Sequence, residues 1–306
     1  MPWWEPIDVS SWEPYATESR GPRRPKLWVK DPAGSIWLRK TPPPPDPKRP
    51  HTARRSEPAV EVLALELARR AGISTSTAQP AIWRGDEGDE RGVVSLRFHG
   101  ADEQHHPGAE LLGLADEGGS SPGARARRDA GRASATFEAV RDKLIELGSA
   151  YGVDLLSPFA RMLVVDAWLG NGDRHSGNWA LVTGPRGARL APMYDPTACL
   201  GVELTDDRPE LADPSDERIA RYVDRCPSGF GAGPTNGRTG IRMAELLEKL
   251  ASWQPWRDAV SEMRPILGGV TAEVEDALAT IPDEWLSQAR KRFAAAVIAR
   301  RVTLLA

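Results

Sequence analysis

Cysteine is nearly absent from this chain: of 306 residues only Cys199 and Cys226 carry a thiol. Two such positions build no disulfide framework, and a reducing compartment, the cytoplasm, fits best. Long apolar runs are missing as well. No stretch approaches the roughly 20 apolar residues of a membrane span, and the opening Met-Pro-Trp-Trp-Glu-Pro lacks the cationic start and apolar core of a secretory signal. Nor is one sign of charge in surplus; a formal net charge of −3 excludes a globally basic nucleic-acid binder. His51, His99, His105 and His106, with two distant cysteines, lack the spacing of a zinc finger. Neither a Walker loop nor a Gly-x-Ser-x-Gly elbow occurs. Lysine is scarce too, at 7 of the 40 basic residues, so few side chains compete for any lysine role. What remains, 40% apolar and 27% charged residues, is an ordinary globular composition with ample chain to bury a core.

The first 25 residues, rich in Trp, Pro and charge, read as an irregular lead-in. Lys26–Lys30 and Ser35–Lys40 flank a Pro/Gly turn and predict a β-hairpin. Four consecutive prolines make residues 41–55 a loop. Pro58 opens a helix that runs to about Arg70, with Gly72 as its stop. A β-prone run, Val93–Phe98, follows, and residues 101–133 read as a long polar connector. Phe137, Val140, Leu144, Ile145 and Leu147 then recur at helical spacing up to Gly148. A second helix, capped by Ser157-Pro158, carries Phe159, Leu163, Val164, Ala167 and Trp168 and stops at Gly170. Trp179–Val182 and Arg189–Met193, joined by Gly184-Pro-Arg-Gly187, predict another hairpin, and the last 65 residues are mainly helical. The expected class is therefore α+β in two lobes: a small β-rich lobe with one helix over 1–100, and a larger, mainly helical lobe over 101–306.

One stretch carries the chemistry. Asn171-Gly-Asp-Arg-His-Ser-Gly-Asn178-Trp lies between a helix end and a strand, and the return strand ends in Leu190-Ala-Pro-Met-Tyr-Asp195. Both ends of this hairpin present oxygen ligands toward one place. An amide and a carboxylate suit Mg²⁺, a hard cation that completes its shell with phosphates and water. Asp173 stands five residues before Asn178, the spacing of the Asp and Asn in phosphotransferase catalytic loops, where the Asp accepts a hydroxyl proton.

These segments closely resemble the C-terminal region of HipA-like kinases, which have a protein-kinase-like fold. Leu38-Arg-Lys40, the helix from Val60 to Ile73, and Val93-Val-Ser95 followed by Glu110-Leu-Leu look like that family's N-lobe. The resemblance implies an ATP- and Mg²⁺-dependent kinase acting on a protein Ser/Thr. It places Lys40 on the ATP phosphates, Glu61 against that lysine, Asp173 as catalytic base, and Asn178 and Asp195 on Mg²⁺. An antitoxin-type partner belongs to the same expectation. The chain departs from the best-known toxins of the family by a shorter N-terminus and by lacking their Gly-Gly-Ala-Gln-like phosphate loop; Ser19-Arg-Gly21 stands in the equivalent position.

The residues leave some choices open. Ile36, Leu38 and Lys40 share one strand face, so Lys40 continues an apolar stripe, as expected of an inward lysine. Glu57 and Glu66 compete with Glu61 as its partner. Arg174 pairs with either a carboxylate or a phosphate, and His175 reads as a brace for the loop. Residues 18–56 hold 11 basic and three acidic residues, and 203–224 hold eight acidic and three basic ones. The first reads as a solvated loop; the second, also a solvated loop in the simplest reading, sits where a basic substrate would dock. The rival functions are a lipid or small-molecule kinase, since Asp173-Arg-His-x-x-Asn178 also resembles the phosphoinositide-kinase loop, and a pseudokinase acting as a binding partner.

Overall fold

The computed structural model describes residues 3–18, 26–42, 56–85, 88–114, 129–234 and 236–305. It is an α+β protein in which a six-stranded sheet lies beside a mainly helical region. The sheet contains β1 (Ile7–Asp8), β2 (Glu13–Glu18), β3 (Lys26–Lys30), β4 (Ile36–Lys40), β5 (Ala78–Gly85) and β6 (Gly88–Leu96), in the order β1-β5-β6-β4-β3-β2. All neighbours are antiparallel except β1 and β5. The lead-in is thus not irregular, since it supplies both edge strands. Pro14 is tolerated in β2 because an edge strand needs only half of its backbone donors.

The β3–β4 hairpin forms where expected, for a local reason. Asp31 Oδ1 accepts the Ser35 N–H at 2.7 Å, and its Oδ2 accepts the Trp37 indole N–H at 2.9 Å, so one carboxylate ties the turn to the strand leaving it. The pairing sets Lys40 opposite Val93 of β6.

Helix α1 (Glu57–Arg70) packs under the sheet with 11 of its 14 residues buried. It is buried nearly all round, carboxylates Glu57 and Glu61 included, and only Glu66, Arg69 and Arg70 are left partly or fully exposed. Its exposed turn is closed by Glu66, which accepts from Arg69 and Arg70. The 101–133 connector is partly regular. It holds β7 (Gln104–Pro107) and the short helix α2 (Gly108–Leu111). β7 joins β8 (Ala180–Gly184) and β9 (Gly187–Leu190), so the expected hairpin is really a three-stranded sheet.

Helix α3 (Phe137–Tyr151) is capped by Thr136 and runs through Gly148 to end at Gly152. Helix α4 (Leu156–Leu169) starts one residue before Ser157. Its free N–H groups at Leu156 and Ser157 are taken by Asp154, at 3.0 and 3.1 Å, rather than by a serine cap. Ten of its fourteen residues are buried, and it forms the spine of the helical region. Around it lie α5 (Pro209–Ala212), α6 (Asp216–Asp224), α7 (Met243–Leu250), α8 (Gln254–Ala272), α9 (Val274–Ala279) and α10 (Gln288–Val302), with the strand pair β10 (Pro227–Gly231) and β11 (Gly240–Arg242). The Trp168 indole of α4 donates to Thr271 of α8 at 3.1 Å. One continuous core runs from α1 through α4 to α10.

Two glycines test how this packing is built. Gly229 in β10 has φ +81°, and a Cβ there would stand 2.4 Å from the Arg174 backbone nitrogen. Gly268 in α8 is exposed and helical, and a methyl group added to it would meet nothing within 4 Å. Gly229→Ala is expected to lower stability by about 2–4 kcal/mol, whereas Gly268→Ala raises it by about 0.5–1 kcal/mol. Urea denaturation of the two variants beside the wild type checks both signs.

Candidate active site

Strand β4 delivers the Lys40 ammonium to a point between two carboxylates. Glu61 Oε1, from α1, lies at 2.7 Å and Asp195 Oδ1 at 3.0 Å. Burial alone would depress the ammonium pKa, but Asp195 and Glu61 outweigh it and hold the group above its ordinary value, firmly charged. Of the three candidate glutamates, Glu61 is therefore the partner of Lys40, and it is 1% exposed. The Ser95 hydroxyl of β6 donates to the same Glu61 oxygen at 3.1 Å, which pins the carboxylate from the sheet side. The sequence gives little sign of this role for Ser95: one hydroxyl inside a β-branched run.

Asp195 takes a left-handed backbone, φ 54°, a conformation Asp tolerates better than most residues. Its approach is fixed by Met193, which exchanges two backbone bonds with the segment after α1: the Ser76 N–H reaches Met193 O at 2.8 Å and the Met193 N–H reaches Ser74 O at 2.8 Å.

The loop from Gly170 to Asn178 is organised by a residue outside every motif of the sequence. Asp166, in the last turn of α4, is 2% exposed and receives three donors. Arg174 Nε and Nη2 reach its two oxygens at 2.7 and 2.9 Å, and Asn171 Nδ2 reaches Oδ1 at 2.7 Å. Arg174 also donates from Nη1 to the carbonyls of Asn178 and Tyr194. One guanidinium thus joins the helix, the loop and the strand leading to Asp195, and its partner is a carboxylate, not a phosphate. The available signal is a lone Asp inside the apolar run Met162–Leu169, since a charge there requires a counterion.

His175 braces the loop. Its Nδ1 accepts the Gly177 N–H at 2.9 Å, and its Nε2 lies 3.7 Å from Asp173. Burial lowers the imidazole pKa below its ordinary 6.5, with Asp173 opposing, so the ring stays neutral near pH 7. Asn178 Nδ2 donates to the Asp173 carbonyl at 2.7 Å, which commits the amide nitrogen and leaves the amide oxygen as the group available for a ligand.

Two cavities border this loop. One, of about 570 Å³, is lined by Lys40, Asn178 and Asp195, with Leu38, Phe98 and Tyr194 among its apolar walls. Phe98 and Tyr194 stack at 5.2 Å between ring centroids. The other, of about 440 Å³, is lined by Asp173 and Gly172 on the loop and by residues 198–227. The structure therefore brings Lys40, Glu61, Asn178 and Asp195 together and turns Asp173 to the adjoining cavity. Ser19 and Gly21 lie outside the described residues, as does His51. His99 and His105 stack on each other at 5.8 Å beside Phe98. Among the described residues no three His, Cys, Asp or Glu side chains converge as a metal cage. Cys199 and Cys226 are buried and unbridged, and burial raises both thiol pKa values.

The family described as HipA-like C-terminal domain matches residues 19–212, well over half of the sequence, and the chain belongs to that family. Its fold is that of HipA-like kinases. The proinflammatory kinase CtkA of Helicobacter pylori is similar over 98% of this chain and 94% of its own, at a TM-score of 0.71 and 16% identity. HipA of Shewanella oneidensis MR-1, solved with HipB and operator DNA as a toxin–antitoxin system, is similar over 97% of this chain and 67% of its own, at a TM-score of 0.50 and 13% identity. No curated protein sequence matches. No helix among the described residues is long and apolar enough to cross a membrane.

The dependence of the loop on Arg174 is directly testable. Arg174→Ala leaves the Asp166 carboxylate buried without its cation and is expected to cost about 3–5 kcal/mol. Asp166→Asn/Arg174→Met removes both charges and recovers part of that loss, which a double-mutant cycle in chemical denaturation measures.

Proposed function

We propose that this chain is an ATP- and Mg²⁺-dependent kinase that transfers a phosphoryl group to a hydroxyl, with a protein Ser or Thr as acceptor. One observation carries the reading. A single loop faces two cavities: Asn178 shares the first with Lys40 and Asp195, and Asp173 lines the second. A donor nucleotide and an acceptor hydroxyl approaching from opposite sides of this loop would meet there. In this reading residues 1–100 form the nucleotide-clamping lobe and 101–306 the catalytic lobe.

The residues of the first cavity fit a nucleotide. Ser76 Oγ, buried and lining this cavity, has no hydrogen-bond partner among the described residues, as expected of a donor awaiting a polar ligand. The flat apolar walls suit a planar base, and the Lys40 ammonium suits its phosphates. One amide oxygen and one carboxylate suit a cation that draws its other ligands from phosphate and water. Asn178 Oδ1 and Asp195 would hold Mg²⁺, which supplies neutralisation of the charge that develops on the transferring phosphoryl group.

The rest is performed by side chains already in place. Lys40 is held charged by Glu61 and reaches the phosphates as a fixed cation. Asp173 aligns the acceptor hydroxyl and takes its proton on a carboxylate oxygen. Neutral His175 adds no full positive charge of its own to that carboxylate. Arg174, locked on Asp166, keeps Asn178 and the Tyr194–Asp195 segment in register. Positioning and charge neutralisation are the main demands of phosphoryl transfer, and this set supplies both. The HipA relation also suggests an antitoxin-type partner protein.

Asp173→Asn is expected to lower the turnover number about 10²–10⁴-fold while MgATP still binds. Asp195→Asn is expected to abolish both turnover and the Mg²⁺-dependent part of ATP binding. Radiolabelled phosphoryl transfer to protein extract, with calorimetric titration of ATP in the presence and absence of Mg²⁺, checks both. Wild-type turnover by Asp173→Asn would remove Asp173 as the base.

A further inference from the structure

The second cavity shows a chemistry that its sequence conceals. Residues 203–224 are predominantly acidic, yet the side chains turned to the cavity include Arg208, Arg218, Arg221 and Arg225. Helix α6 explains the inversion. Ile219 and Val223 face the core, so Arg218, Arg221 and Arg225, spaced at three and four residues, form one stripe along the other side. Several of the acidic groups are internal counterions rather than a docking face. Asp213 pairs with Arg218, Glu217 with Arg221 at 2.5 Å, and Glu210 with Arg208 at 3.3 Å. Arg225 has no carboxylate in ion-pair reach among the described residues.

Arg225 is also the arginine tied most directly to the catalytic loop through the chain. Cys226 follows it and donates from its thiol to the Gly170 carbonyl at 3.4 Å. Pro227 comes next and packs on Gly172, where a Cβ would come within 2.5 Å of the proline ring. Behind the Gly170–Cys226 wall lies Arg301, 1% exposed, whose Nε and Nη2 have no hydrogen-bond partner among the described residues. A Cβ on Gly170 would stand 2.6 Å from that Nε, so this buried cation sits against the wall of the cavity.

The carboxylates that do line the cavity are already engaged or ask for a donor. Glu203 lies near the Tyr222 hydroxyl, which accepts the Gly201 N–H at 3.0 Å and whose pKa burial raises, with the Glu203 charge adding to the shift. Glu210 Oε2 is buried without a partner among the described residues. An inorganic anion would leave that oxygen unsatisfied, whereas a peptide supplies backbone N–H groups as well as acidic side chains.

We propose that this cavity is the acceptor site of the kinase and that it takes an acidic peptide: a Ser or Thr presented to Asp173, with Asp or Glu neighbours held by Arg221 and Arg225. The inference rests on the kinase reading for its chemistry, but not for its binding. It reverses the expectation of a basic substrate, because of the charged side chains from 203–225 that line the cavity four are arginines and two are glutamates.

Fluorescence anisotropy on the full chain tests it with two labelled peptides, one central Ser flanked by Asp and Glu, the other flanked by Lys and Arg. The acidic peptide is expected to bind at least about tenfold more tightly and to weaken with added salt. Arg221→Glu/Arg225→Glu is expected to lose that advantage, and the milder Arg225→Gln to lose part of it, with circular dichroism confirming the fold of each. Equal binding of the two peptides, preference for the basic one, or unchanged binding by the double variant overturns the proposal. Calorimetric titration of MgATP into wild type and Lys40→Met judges the kinase reading separately. Nucleotide binding without peptide discrimination sinks only the acceptor proposal, and peptide discrimination without nucleotide binding sinks only the kinase.

Discussion

A buried ammonium is tolerated only where carboxylates surround it, and the Lys40 triad is the constraint on which the site depends. Its three members come from β4, from α1 and from the segment after β9, so the sheet, the helix beneath it and the helical region must all dock for the charges to meet. The two carboxylates are not equivalent. Glu61 is 1% exposed and doubly engaged, by Lys40 and by Ser95, whereas Asp195 is 18% exposed and lines the cavity. One is a permanent counterion, and the other is open to exchange its partner. A lysine so held arrives at the cavity already charged and oriented, without the conformational cost of recruiting it from solvent.

The second buried pair, Asp166 with Arg174, performs the matching task for the loop. Buried ion pairs contribute little net stability compared with apolar packing, but their geometry is exacting, and breaking one is costly. Here the guanidinium is fully sequestered and burial is offset by Asp166, which keeps it charged. Its remaining donor reaches two carbonyls 16 residues apart in sequence, those of Asn178 and Tyr194. The consequence is mechanical: the residues on either side of the β8–β9 hairpin cannot drift independently, because one planar group holds both.

Much of this was legible in residue order, and the failures have physical causes. Lys40 could be read as inward because it continues the Ile36–Leu38 face, and α1 because Pro58 and Gly72 bracket an apolar run. The loop from Asn171 to Asn178 announced itself by dense polar residues between a helix and a strand. By contrast, β1 and β2 were hidden because edge strands need few hydrophobic residues and β1 has only two residues. Strand β7 was hidden because Gln104–Pro107 gains its strand character from pairing with β8, not from its own propensity. The start of α4 differs from the Ser157-Pro158 cap because Asp154, two residues upstream of the helix, accepts the N–H groups of Leu156 and Ser157 and so begins the helix earlier. Asp166 was not legible because the hydrophobic spacing of α4 defines its buried face without saying which distant cation meets the one carboxylate on it.

Residues 203–224 show most clearly what composition leaves out. A count of charges assigns the segment a negative surface, but a count has no direction. Helical periodicity sorts the side chains: positions 219 and 223 must face the core, which turns 218, 221 and 225 to a common side. Acidic residues one turn earlier, at 213 and 217, then neutralise their neighbours locally instead of acting outward. The net sign of a segment and the sign of the cavity it lines are therefore separate quantities. Where an amphipathic helix borders a site, the second follows from the angular positions of its charges around the helix axis, and the first has little bearing on what can bind.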